Sequence, residues 1–317
     1  MSDSAWTVDA ADAGVRLDKF LAASDRAGSR ARAISALERG KVFVNGEETG
    51  PADGARRLAA GDAVRLWMDR PGSSRVQRGP MDIGDLRIVY EDESLFVIDK
   101  PAGMLTVPLP RRPTSLSACE LLKNNLRSAA RHRVYAVHRI DEYTSGLVVF
   151  ARSLEAQAQL KGQFRDRRPE RVYLAVVYGH PEPAEGVWRD YLVWDEKALV
   201  QKQAHPRDPE AKEAISYYRA LERLAGATLI EVRLETGKRN QIRLQARLRG
   251  HTLVGEQRYI YGPDHLRHID FWRQALHAGR LGFQHPRDGR DLHFEAPLPG
   301  DMTQLIARLR TARSPRR

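Results

Sequence analysis

Residues 134–153 read VYAVHRIDEYTSGLVVFARS, two apolar runs that enclose the polar segment HRIDEYTSG. Such a pattern describes a chain that leaves a buried element, turns at its edge and returns to the core. A turn held by rigid neighbours can present Arg139 and Asp141 at the rim of a cleft. Taken alone, an Arg/Asp pair is better explained as a contact that merely fixes the turn, so the stretch acquires meaning only from what surrounds it.

On both sides lie further strand candidates. LRIVY from Leu86 and LFVIDKPAGM precede it, separated by the acidic turn Glu91 to Ser94; RVYLAVVYG, VWRDYLVW, AISYYRALERL and ATLIEVRLET follow. Adjacent strands with occasional helices predict an α+β fold with a mixed, largely antiparallel sheet instead of a regular βαβ alternation. Leu116, Cys119, Leu122 and Leu126 recur at helical spacing, which predicts a buried Cys119. The domain built from these elements is expected to span residues 86–312.

Residues 68–85, with Pro71-Gly72-Ser73-Ser74 and Gly79-Pro80, have the composition of a linker. Before them, residues 14–67 form a compact unit. Ser29 is placed to cap a helix whose apolar side carries Ala33, Ile34 and Leu37, and Gly40 to close it. Lys41 to Val44 has strand character, Asn45-Gly46 is a tight-turn signal, and Ala63 to Leu66 predicts another short strand. The helix presents Arg30, Arg32 and Arg39 beside that turn.

The chain has 317 residues, and its 52 Lys+Arg against 41 Asp+Glu give a formal charge of +11, which favours polyanionic partners. Cys119 is the single cysteine, so an intramolecular disulfide framework and a multi-thiolate metal site are excluded. No apolar run approaches the roughly 20 residues that span a bilayer, and no secretory signal is present; a cytoplasmic protein without membrane contact is expected. His277, His285 and His293 form no local metal motif, and neither GxxxxGK[ST] nor GxGxxG occurs.

HRIDEYTSGLVVFAR closely resembles the HRLDxxTSG signature of the ribosomal large-subunit pseudouridine synthase family of the RluA type. The resemblance extends through LxIVYED…LFVIDKPAGM, RVYLAVVYG, AKEAISYYRAL, LETGKRNQIRLQARLRGHTLVGEQRYIYG and RQALHAGRLGFQHP…FEAPLPGDM. It implies isomerisation of uridine in RNA to pseudouridine with no metal, nucleotide or redox cofactor. The base is detached at N1–C1′, turned while retained, and rejoined through C5. Asp141 matches the family's essential aspartate, which serves as a nucleophile toward C1′ or as a base for the 2′ proton; the adjoining Glu142 reads as solvated.

By the same resemblance Tyr173 stacks on the uracil and assists proton removal from C5. Arg243 holds the aspartate ionised, a role suited to a bidentate pair, and Arg139 enters the space left by the flipped nucleotide. Where the family has TGRTHQIR this chain has Thr236 to Arg243 as TGKRNQIR, so Lys238 and Arg239 keep the positive charge for substrate binding while Asn240 replaces a histidine. Six basic residues against Glu235 between Arg233 and Arg249 predict a cationic wall, and Leu244 and Leu248 an inward helix face closed by Gly250.

Residues 14–67 resemble the alpha-L RNA-binding motif of the ribosomal protein S four type, which implies phosphate contacts from Arg30 and Arg32. The expected partner is structured RNA, ribosomal RNA first and transfer RNA second, met by a monomer. A noncatalytic RNA-binding ribosome-assembly factor on the same scaffold is the alternative, and an RNA glycosidase a third possibility.

Overall fold

The computed structural model describes residues 3–38, 40–68, 81–83, 86–109, 116–125, 133–196, 198, 200–260 and 269–312. The chain divides into two compact units, Met1–Gly79 and Pro80–Arg317.

The first unit holds β1 (Asp3–Thr7), α1 (Leu17–Leu21), α2 (Arg30–Glu38), β2 (Val42–Val44), β3 (Glu47–Thr49) and β4 (Ala63–Trp67). Its sheet has the order β1-β4-β2-β3, so it begins before residue 14, with Asp3 opposite Trp67. The Ser29 hydroxyl accepts from the Arg32 amide at 3.2 Å and caps α2. Asn45 and Gly46, at φ 54° and 80°, make the tight turn between β2 and β3. Ala33, Ala36 and Leu37 supply the buried stripe of α2 against Leu17, Phe20 and Val64, whereas Ile34 is 39% exposed and lies off the expected face. Arg39 lies outside the described residues.

The second unit contains β5 (Met81–Ile83), β6 (Leu86–Glu91), β7 (Leu95–Lys100), α3 (Ala118–Asn125), β8 (Tyr135–Ala136), β9 (Ser145–Ala151), α4 (Leu154–Arg165), β10 (Glu170–Tyr178), β11 (Glu185–Asp195), β12 (Val200–Gln203), β13 (Lys212–Leu224), β14 (Ala227–Leu234), α5 (Gln241–Leu248), β15 (Leu276–Gln284), β16 (Asp291–Glu295) and α6 (Gly300–Thr311). Its 12-stranded sheet runs β12-β11-β13-β14-β10-β15-β9-β7-β6-β5, with β16 added on β15 and β8 on β9. The β15–β9 pairing is parallel and the other described pairings are antiparallel, which makes the sheet mixed.

Because β5 pairs with β6, the sheet starts inside the segment expected to be linker. The proline- and glycine-rich part of that segment, residues 69–80, lies outside the described residues.

Every residue of β9 is buried because helices cover both faces of the sheet there. Phe96, Ile98, Val148 and Phe150 pack with Cys119 and Leu122 of α3, while Leu95, Val97, Leu147 and Val149 pack with Ala156 and Leu160 of α4. Strand β10 alternates in the same way, with Tyr173, Ala175 and Val177 facing Ile242 and Ala246 of α5, and Val176 packing with Met302 and Leu305 of α6. Removing one such side chain, as in Phe150→Ala, costs about 3–5 kcal/mol. Leu116 precedes α3 and is 55% exposed, so the expected helical stripe holds only for Cys119 and Leu122 among the described residues.

At the crossing of β9 and β15 the backbones nearly touch. Gly146, at φ 113°, lies opposite Ala278, and a Cβ there would stand 2.3 Å from the Ala278 carbonyl oxygen. Only glycine fits.

Candidate active site

Asp141 opens a tight turn leading into β9, closed by the Thr144 amide donating to the Asp141 carbonyl at 3.1 Å. Its backbone is tied down from two sides. Lys100 Nζ donates to the carbonyls of Pro101, Met104 and Glu142 at 2.8, 2.8 and 3.1 Å, and the Gly103 amide also reaches the Glu142 carbonyl. Burial pushes the Lys100 amine down to about 7, against the attraction of Asp141. Arg273 donates to the Tyr143 carbonyl at 3.2 Å and is gripped by Asp301 through Nε and Nη2 at 2.7 and 2.9 Å. Glu142 is half-buried, not fully solvated, and its carbonyl helps lock the turn.

The opposite wall comes from the β14–α5 turn. Gln241 Oε1 accepts from the Thr236 hydroxyl and the Lys238 amide at 2.8 and 2.9 Å, which folds the glycine-containing turn over the start of α5. Asn240 sits in the left-handed region at φ 51°, a conformation asparagine tolerates. Its Nδ2 donates to Asp141 Oδ2 at 2.6 Å, and Arg243 Nη1 donates to the same oxygen at 3.0 Å. Among the described residues Asp141 Oδ1 accepts no side-chain hydrogen bond.

The bidentate geometry expected between Arg243 and Asp141 is instead spent on Glu256. Arg243 Nε and Nη2 donate to Glu256 Oε2 and Oε1 at 2.7 and 2.6 Å. Glu256 is fully enclosed, and its Oε1 also accepts from the amides of Arg258 and Tyr259 at 2.8 and 3.2 Å. Burial opposes its charge, but the Arg243 contacts and these amides outweigh burial and hold the carboxyl below its usual range. Burial likewise opposes the charge on Arg243, and Glu256 followed by Asp141 overrides it, so the guanidinium stays protonated.

Tyr259 completes the chain. Its hydroxyl donates to Asn240 Oδ1 at 3.2 Å and accepts from the Gln201 amide at 3.0 Å. Asn240 therefore relays a fixed orientation from Tyr259 to Asp141.

Asp141, Tyr173, Arg243, Arg139, Lys238 and Arg239 all line one cleft of about 190 Å³, a volume suited to a single planar ring. Burial pushes the Tyr173 phenol up to about 12, with Arg171 pulling the other way, so it is neutral at neutral pH. The Arg239 guanidinium lies 3.8 Å above the Trp194 ring, and its pKa is lowered by burial and by repulsion from Arg139. Lys238 is lowered too, by burial and then by Lys212 and Arg167. The cationic wall is narrower than expected, since Arg249 pairs with buried Asp190 at 2.7 Å and Arg233 lies over the Tyr217 ring.

Arg30 and Arg32 belong to the other unit. Arg30 gives Nε and Nη2 to Asp18 at 3.2 and 2.9 Å, while Arg32 is exposed. His277 is packed between the Ser145 hydroxyl and the Ala296 carbonyl, and burial pushes it down to about 4. No group of three potential metal ligands occurs among the described residues.

Glu256 and Tyr259 are the neighbours of the candidate site that the sequence did not single out, and Asn240 was noted there only as the replacement of a histidine. Glu256 lies 13 positions beyond Arg243, past the end of α5, and no local spacing signals their pairing.

Residues 94–248 match the family model of RNA pseudouridylate synthase. A Bacillus subtilis relative called an uncharacterized RNA pseudouridine synthase is 37% identical over 298 residues, covering 93% of this chain and 94% of the relative. A protein of Xylella fastidiosa named ribosomal large subunit pseudouridine synthase D is 36% identical over 320 residues, covering 96% of this chain and 92% of its own. The human RNA pseudouridylate synthase domain containing 4 structure shares the fold at a TM-score of 0.57 and 21% identity, over 72% of this chain and 94% of that one.

Proposed function

The chain belongs to the RNA pseudouridylate synthase family and is an isomerase acting on RNA, and from that premise we propose that it converts uridine to pseudouridine in ribosomal RNA with Asp141 as the catalytic carboxylate. The observation that carries this role is the asymmetric hold on Asp141, whose Oδ2 receives Arg243 and Asn240 while Oδ1 has no side-chain partner among the described residues, in a ring-sized cleft. An anion so fixed suits attack at C1′ or removal of the 2′ proton.

Tyr173 lies where its ring can cover one face of a uracil, and as a neutral phenol it passes a proton by hydrogen bonding instead of acting as a resting phenolate. Arg139 at the rim is suited to fill the gap left by a flipped nucleotide, and Lys238 and Arg239 to meet its phosphates. Residues 14–67 serve as an RNA-binding module through Arg30 and Arg32. No described helix is long and apolar enough to cross a membrane, and we assign the protein to the cytoplasm, acting as a monomer.

Ribosomal RNA is preferred because several relatives bear the name ribosomal large subunit pseudouridine synthase D; transfer RNA is the second choice. The test is pseudouridine mapping of total RNA from cells with and without this protein. Loss of one or a few large-subunit sites is expected. Loss confined to transfer RNA would move the substrate, release of free uracil by the purified protein would make it a glycosidase, and tight binding without conversion would make it an assembly factor.

A further inference from the structure

Tyr143 and Trp272 are two large aromatic side chains left in the open beside the cleft. They are 42% and 51% exposed, and their rings meet edge to face with centroids 5.9 Å apart. Tyr143 stands on the same tight turn as Asp141, two residues on. The backbone beneath both rings is fixed: Arg273 holds the Tyr143 carbonyl, Lys100 and Gly103 hold that of Glu142, and Gln257 holds that of Trp272. Trp272 Nε1 donates to Asp301 Oδ2 at 3.1 Å, so the indole is oriented as well. Two rings kept rigid yet uncovered present a preformed π surface at low entropic cost.

We propose that Tyr143 and Trp272 form a stacking platform for an unpaired nucleobase of the RNA that neighbours the uridine entering the cleft. The identity of the occupant follows from continuity with the cleft. A uridine whose sugar reaches Asp141 must bring its flanking nucleotides past the turn that carries Tyr143. Cationic Arg139, Lys238 and Arg239 line that cleft and match the charge of an RNA strand. Bases unstacked from a loop find their replacement partner on aromatic faces, and stacking tolerates any base. The platform rests on Asp141 marking the reacting position.

The test uses the full-length protein and its intrinsic fluorescence, with octauridylate as the probe. The chain has five tryptophans, so Trp272→Phe isolates the contribution of one while keeping an aromatic ring. Octauridylate is expected to quench the wild-type emission. Trp272→Phe should lose part of that quench with affinity kept within about threefold, and Trp272→Ala and Tyr143→Ala should each weaken binding on the order of 10-fold, the loss of one stacked base. An abasic octamer should bind wild type and Trp272→Ala alike.

Equal octauridylate affinity in wild type and Trp272→Ala, the same loss with the abasic octamer, or no quench in the wild type would each overturn the platform. A change of sedimentation from dimer to monomer in Trp272→Ala would identify the patch as an interface between copies and overturn it too. Quenching does not need turnover, so an Asp141→Asn protein that still quenches separates this outcome from the role of Asp141.

Discussion

Arg243 turns its bidentate fork to Glu256 and reaches Asp141 with its one remaining terminal nitrogen. The consequence is a division of labour. Glu256, enclosed and held by two backbone amides, sets where the guanidinium lies, and the guanidinium then sets where Asp141 Oδ2 lies. Breaking a buried pair at one partner leaves an uncompensated charge.

Glu256→Gln should therefore fold less stably and lose single-turnover rate at saturating RNA on the order of 100-fold, because a small displacement of a positioning group is costly. RNA affinity should change far less, and Glu256→Asp should recover part of the rate. Rapid-quench assays of pseudouridine formation check this, and an undiminished rate in Glu256→Gln would remove Glu256 from the positioning chain.

Tyr173, pushed up to about 12, keeps its proton through the range in which RNA assays are run. The single-turnover rate should show no rising limb between about pH 8 and 10 that disappears in Tyr173→Phe. A limb in the wild type that the variant lacks would show a phenolate acting as base.

Lys100 links pH to stability. Its folded-state value near 7 lies below the usual 10.5, so between these limits the unfolded chain binds more protons. Stability contributed by this group therefore rises as pH increases from 7 toward 10.5. Lys100→Met removes that slope and also takes a donor from three carbonyls, orphaning those of Pro101 and Met104 on the loop that precedes α3 while the Glu142 carbonyl on the Asp141 turn keeps the Gly103 amide. Denaturant titrations of both proteins at pH 7 and 9.5 should show a stability gap that widens with pH; a constant gap would contradict the depressed value.

In the first unit, Arg32 is exposed whereas Arg30 is tied to Asp18. If Arg32 meets a phosphate, Arg32→Ala should weaken binding to long structured RNA uniformly and lower the salt slope of affinity by about one. Arg30→Ala should in addition loosen Asp18, whose carboxyl Arg16 and then Arg30 hold down at about 2 against the opposing effect of burial. Affinities measured across a salt series decide between a phosphate contact and a merely solvated charge.

Much of this molecule could be read from pattern. Strands β10, β11, β13 and β14 announced themselves because alternating or fully apolar runs bounded by turns have few other solutions, and the polar interruption at 138–146 marked the turn that carries Asp141. The partner of Arg243 was not legible: Glu256 reaches it across a turn beyond α5, a relation set by tertiary packing and not by helical spacing. Ile34 and Leu116 were misplaced because apolar spacing alone does not say where a helix begins or which residue of its stripe is covered. Strand β5 was hidden by its three-residue length beside the proline- and glycine-rich segment.

The role of Asp141 is tested most directly by pseudouridine formation in purified Asp141→Asn under single-turnover conditions, on large-subunit ribosomal RNA from cells lacking this protein. The amide keeps the shape and the fold but supplies neither an anionic nucleophile nor a base. RNA binding is expected to persist while the rate falls on the order of 10⁴-fold or more; conversion by the variant at a rate near that of the wild type would contradict a catalytic Asp141.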